Sequence, residues 1–190
     1  MARTRPLLNS PSERVLAAVV EGSDASAEYT RTMGEGRRNL GMKGSVIVGY
    51  DIGGAPLSQA IQTAVLASGL LTCVVDGSGR DDYPDVAFRA CDMLLQHAFN
   101  SAILVCGTGL GMSIAANKVD GIRAARCTDG YSVERARTNS NANVLTLGAE
   151  ITTPEQAERL VRCWLQSEFS SERSQPKLAK IAAFEARVRS

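Results

Sequence analysis

SAILVCGTGLGMSIAANK, from Ser101 to Lys118, reads as a short apolar strand, a turn with three glycines in five positions, and a helix. The glycines Gly107, Gly109 and Gly111 let the backbone turn tightly and come close to a ligand. The same grammar extends in both directions. Upstream, Ser45 to Tyr50 is a β-branched run that reads as a buried strand, and Ala55 to Leu66 reads as a helix with Pro56 tolerated in its first turn. Leu71 to Val75 reads as a strand, and Pro84 to Ala98 carries Val86, Ala87, Ala90, Met93 and Leu94 at helical spacing. Downstream come a strand at Ile122 to Cys127, a helix over 131–138, and a strand at Asn143 to Leu147. A helix from Pro154 to Gln166 follows, capped by Thr152 or Thr153, and a last one runs from about Ser174 to Val188. Apolar strands alternating with helices predict an α/β protein: a three-layer α/β/α, Rossmann-like domain on a five-stranded parallel sheet.

The 190 residues suit one domain, and 44% hydrophobic with 22% charged residues is an ordinary globular balance. Wholesale disorder, collagen-like repeats and small disulfide scaffolds are excluded. A formal charge of +1 gives no electrostatic case for nucleic acid or membrane. No apolar run approaches the ~20 residues that cross a bilayer. The first residues carry arginines but no apolar signal core. Cys73, Cys91, Cys106, Cys127 and Cys163 are odd in number and widely spaced, which points to the reducing cytoplasm rather than a disulfide framework. With His97 the sole histidine, the spacing asks for no metal site. Residues 1–43, rich in Arg, Ser, Gly and Glu, read as a partly ordered extension whose apolar patch, Val15 to Val20, forms a helical turn or two. The domain proper runs over 44–190.

In parallel sheets ligands sit beyond the carboxyl ends of the strands. Three strand ends stand out: Tyr50 to Gly54, Cys106 to Gly111, and Cys127 to Asp129. The glycine turn lacks the Lys-Ser/Thr of a phosphate-cradling Walker loop and the spacing of a dinucleotide fingerprint. Glycine spacing alone leaves open an anion site or a plain tight turn. Cys106 narrows the choice, because a thiol at a helix N-terminus is poised as thiolate, able to act as nucleophile or base. The other four cysteines read as buried and structural.

CGTGLGMSIAANK, then GIRAARCTDGYS (Gly121 to Ser132), then NANVLTLGAE (Asn141 to Glu150), resembles the RpiB/LacAB family of sugar-phosphate isomerases, the ribose-5-phosphate isomerase B type. DYPDVA at Asp82 to Ala87, the strand-end Asp51, and the tail from Trp164 to Ile181 continue the likeness, which covers about 44–183. The resemblance implies interconversion of aldose and ketose phosphates through a cis-enediolate, without metal or organic cofactor. Cys106 matches the family's base, and Thr108 would hydrogen-bond to the thiol or relay a proton. Gly107, Gly109 and Gly111 would hold the oxyanion. Ser113 lies close by in the motif. Asp51 and Tyr83 match positions lining the sugar pocket, and Asn139 and Asn143 fall in the third motif's neighbourhood as further substrate-binding candidates. Arg173 and Lys177, four apart and so on one helix face, match the phosphate-holding tail, with Arg137 as a further candidate. A second subunit would complete the pocket, so a homodimer or tetramer is implied.

The departures are chemical. Ile52 and Asn139 stand where the family has histidines, and Ser174 and Pro176 replace a further histidine and arginine. His97 matches none of these places. An amide cannot exchange protons near neutral pH as imidazole does. Three consequences are open: a four-carbon sugar phosphate that never closes a ring, a five-carbon substrate with unassisted ring opening, or a partner-dependent or purely binding subunit.

Overall fold

The structure is a computed structural model and describes residues 17–20, 44–79, 81–97 and 99–188. Its strands are β1 (Ala17–Val20), β2 (Ser45–Asp51), β3 (Leu71–Gly77), β4 (Ser101–Cys106), β5 (Ala124–Arg126) and β6 (Val144–Gly148). Its helices are α1 (Ala55–Ala67), α2 (Tyr83–Gln96), α3 (Leu110–Ala116), α4 (Gly130–Thr138), α5 (Pro154–Gln166) and α6 (Gln175–Val188), the last entered through a 3-10 turn at Glu172–Ser174. All pairings are parallel, in the order β1-β3-β2-β4-β6-β5.

The five strands expected from the sequence form the sheet, and β1 adds a sixth at its β3 edge, pairing Ala17 with Thr72 through Val20 with Val75. Ala17–Val20 is therefore strand and not the helical turn expected of it. Val15, Leu16, the rest of 1–43 and Ala98 lie outside the described residues. Four apolar residues carry no periodicity that separates strand from helix, so the waiting sheet edge decides.

Alternate residues of each strand face opposite layers. Ile47, Cys73, Ala102 and Leu104 pack under α2 and α3 against Val86, Ala90, Met112 and Ala116. Val46, Val48, Ile103, Val105, Leu145 and Leu147 face α1, α4 and α5, against Leu57, Ile61, Val133, Leu160 and Trp164. Burying each Leu, Ile or Val this way contributes roughly 1.5–3 kcal/mol relative to exposure. β5 starts at Ala124, later than expected, after Gly121 turns through a left-handed φ of 75° and the Arg123 N–H is taken by the Asn143 side chain. α3 ends at Ala116 because the Asn117 amide bonds both the N–H and C=O of Ala124, at 2.9 Å each. No helix of the described residues is long and apolar enough to cross a membrane.

Candidate active site

β4 lies between β2 and β6, so its carboxyl end opens between two neighbouring loops. Cys106 closes that strand, and its Sγ accepts a hydrogen bond from the Gly109 N–H at 3.2 Å. That contact needs the left-handed backbone at Gly109, φ 75°. A side chain at Gly109 would also strike the Leu147 carbonyl carbon at 2.8 Å, so the turn lies directly on β6. Two backbone bonds lock it there: Ala149 N–H to Cys106 C=O and Glu150 N–H to Gly107 C=O, both 2.9 Å.

The first loop closes from the β2 side. Asp51 Oδ1 accepts from the Gly54 N–H at 2.9 Å, fixing the carboxylate, and Gly53 comes against the Gly107 amide. Behind it, burial, and next the Asp76 carboxylate that accepts from it, push the Tyr50 hydroxyl up to about 12. Asp76 is itself held by the Ser78 N–H and hydroxyl, at 2.9 and 2.7 Å. Tyr83, at the start of α2, lays its ring against Gly111, leaving less than 3 Å for any side chain there. Thr108 is exposed; its Oγ1 accepts from Leu110 N–H, and its carbonyl accepts from Arg126 Nε at 3.0 Å. Ser113 sits a turn into α3, its hydroxyl reaching the Ala124 carbonyl at 3.5 Å. Thus Asp51, Tyr83, Cys106, Gly107, Thr108, Gly109 and Gly111 converge at one end of the sheet.

The remaining candidates gather at the other end. Asn139 caps the carboxyl end of α4, beside Thr138. Asn143 precedes β6 and spends its side chain on the turn below, accepting from Arg123 N–H and donating to Gly121 C=O, both 2.8 Å. Arg137 lies over the Trp164 ring at 4.8 Å, its Nη1 donating to Ala142 C=O at 2.6 Å and its Nε to Ser167 C=O at 3.2 Å. The tail joins this group, since Ser170 and Ser171 both donate to the Thr138 carbonyl. Arg173 and Lys177 follow, exposed. β4 has six residues, so the two groups of candidates stand ~16 Å or more apart at ~3.3 Å per residue. His97 is also at this end, edge-on to Phe99.

One residue at the Cys106 end carried no role in the sequence reading. Glu150 closes the NANVLTLGAE stretch, and its Oε1 lies 2.5 Å from where a side chain on Gly107 would begin. Strand pairing of β4 with β6 brings it there, which residue spacing does not reveal. Among the described residues no three of His, Cys, Asp and Glu gather as a metal-ligand set.

Residues 46–181 match the family described as Ribose/Galactose Isomerase. The chain is 40% identical over 144 residues to D-erythrulose-4-phosphate isomerase of Pectobacterium atrosepticum, spanning 74% of this chain and 95% of the relative. It is 38% identical over 110 residues to ribose-5-phosphate isomerase B of Escherichia coli, spanning 58% of this chain and 74% of the relative. Among solved structures, the type B ribose 5-phosphate isomerase of Trypanosoma brucei superposes with a TM-score of 0.69 at 38% identity, covering 75% of this chain and 99% of that one. The match runs through every strand from β2 to β6 and through both ends of the sheet where the candidate residues lie. The chain belongs to the ribose/galactose isomerase family.

Proposed function

We propose that the protein is an aldose–ketose isomerase of a phosphorylated sugar, working through an enediolate with Cys106 as base. The observation that carries this reading is the sulfur at the carboxyl end of β4, with a backbone N–H on it and the turn locked by Ala149 and Glu150. Starting from the ketose, the thiolate takes a proton from C1, and the C–H electrons form the C1–C2 double bond. The carbonyl oxygen on C2 becomes the enediolate oxygen, held by N–H groups of the turn from Gly107 to Gly111. Return of the proton to C2, with transfer of the C1 hydroxyl proton to the oxygen on C2, gives the aldose. Thr108 stands beside this path as a hydrogen-bonding relay, and Asp51, Tyr83 and Ser113 border the pocket.

Arg173 and Lys177 are the phosphate clamp in this reading, with Asn139 and Asn143 on the same side. They lie at the far end of their own sheet, so a second copy must present them to Cys106. The assembly is then a homodimer, or a tetramer of paired dimers, with each site shared. The bare face of α6 supports it: none of its side chains is buried, and Ile181, Phe184 and Val188 are exposed. Cytoplasmic residence belongs to the same reading, supported by five unpaired cysteines.

The substrate is a ribose 5-phosphate/ribulose 5-phosphate pair or a tetrulose 4-phosphate. Ile52 and Asn139 offer no proton exchange for opening a furanose ring, which favours the four-carbon sugar: phosphorylated on O4, it cannot close one. A relative named D-erythrulose-4-phosphate isomerase supports the same choice. The test is turnover by the purified protein on both enantiomers of erythrulose 4-phosphate and on ribulose 5-phosphate, following aldose phosphate. Preference for the tetrulose is expected. Preference for ribulose 5-phosphate would overturn the four-carbon assignment. Binding without turnover on any of them would mean a non-catalytic or partner-dependent subunit.

A further inference from the structure

The reaction just described moves two protons, and Cys106 accounts for only the one on carbon. The other must leave the C1 hydroxyl and arrive on the oxygen at C2. Glu150 is placed for that task. Its Oε1 rests against the α-carbon side of Gly107, one residue from the sulfur. Its backbone N–H is fixed to the Gly107 carbonyl at 2.9 Å, so the residue cannot drift from the turn. The carboxylate itself is exposed, and none of the hydrogen bonds or ion pairs among the described residues engages it. The neighbouring carboxylates are engaged: Asp51 by the Gly54 N–H, Asp76 by Ser78 and Asp129 by Ser132.

We propose that Glu150 carries the hydroxyl proton between O1 and O2. Its carboxylate accepts the proton from the C1 hydroxyl as Cys106 removes the proton on C1. The resulting carboxylic acid donates to the oxygen on C2, and the carboxylate is restored. Charge and atoms balance without a further reactant, and the enediolate is quenched where it forms. The proposal rests on the isomerase reading above.

Glu150→Gln keeps the shape and loses the proton acceptor. It is expected to lower kcat ~100-fold with KM changed less than ~3-fold. Glu150→Asp should restore part of the rate. Gly107→Ala is the independent variant: its methyl group displaces the Glu150 carboxylate, and Gly107 has no left-handed φ to strain. It should slow the native enzyme and add little to Glu150→Gln. A Glu150→Gln enzyme with native kcat, or one impaired only through KM, overturns the assignment. Native turnover, measured in the same series, reports on the isomerase reading by itself.

Discussion

Cys106 and Gly109 act as one unit, and each can be broken separately. Cys106→Ala removes the thiol proposed as base and leaves the pocket's shape, so turnover should vanish while a substrate analogue still binds, as calorimetry would measure. Unchanged turnover would exclude Cys106 as the base. Gly109→Ala forces a side chain into a left-handed backbone, at ~1–2 kcal/mol, and into the Leu147 carbonyl. It should lower the urea midpoint and, by moving the N–H off the sulfur, lower kcat beyond what lost stability explains. Both residues were legible because strand, glycine turn and helix follow one another within a single run of sequence. Glu150 was not, since its place beside Gly107 comes from pairing two strands some forty residues apart. Asn143 also holds the Gly121–Arg123 turn, at the opposite end of the sheet from Cys106, a hydrogen-bonding task that its motif does not reveal.

The elements depend on a few polar clamps set among apolar contacts. Arg137 ties the end of α4 to α5 by stacking on Trp164 and bonding two carbonyls, a geometry that needs the planar fork. Arg137→Lys should cost ~1–3 kcal/mol, read by urea unfolding. A rise in KM with stability intact would instead make its guanidinium a phosphate ligand. Protonation also tracks the elements. Burial, and next Asp92, push Cys91 of α2 up to about 12; burial, and next Asp129, push Cys127 after β5 to about 11. Tyr50 of β2 is raised to about 12. Unfolding frees these groups to ionise from ~8.5 for Cys and ~10 for Tyr. A raised folded value leaves stability whole below the unfolded one and removes it as pH climbs toward the folded one. The urea midpoint should therefore hold to about pH 8 and fall between about pH 9 and 11. A flat midpoint over that range would mean that these groups ionise alike in both states. The strands from β2 to β6 were legible from apolar runs bounded by turn residues. β1 was not, because a four-residue segment takes its conformation from the edge it joins.

At the scale of the molecule, the proposed isomerase puts Cys106 and Arg173 of one site in different copies of the chain. Complementation between variants tests it. Cys106→Ala and Arg173→Ala should each be impaired alone. Mixed and allowed to exchange subunits, they should recover about a quarter of native activity, because half the dimers are mixed and each regains one of two sites. No recovery, with exchange verified, would place the whole site in one chain. The Cys106 and tail motifs are both legible in the sequence, but the opposite ends of the sheet that the fold gives them are not. The bonds from Ala149 and Glu150 to the Cys106 turn also bear on biosynthesis. β2, β3 and β4 leave the ribosome before β6, and a parallel sheet closes only through such distant pairings. The Cys106 turn is thus completed by the last of the described strands to be made. A chain arrested before residue 149 has its cysteine and its glycines but nothing to set them against, so activity emerges only with the finished polypeptide.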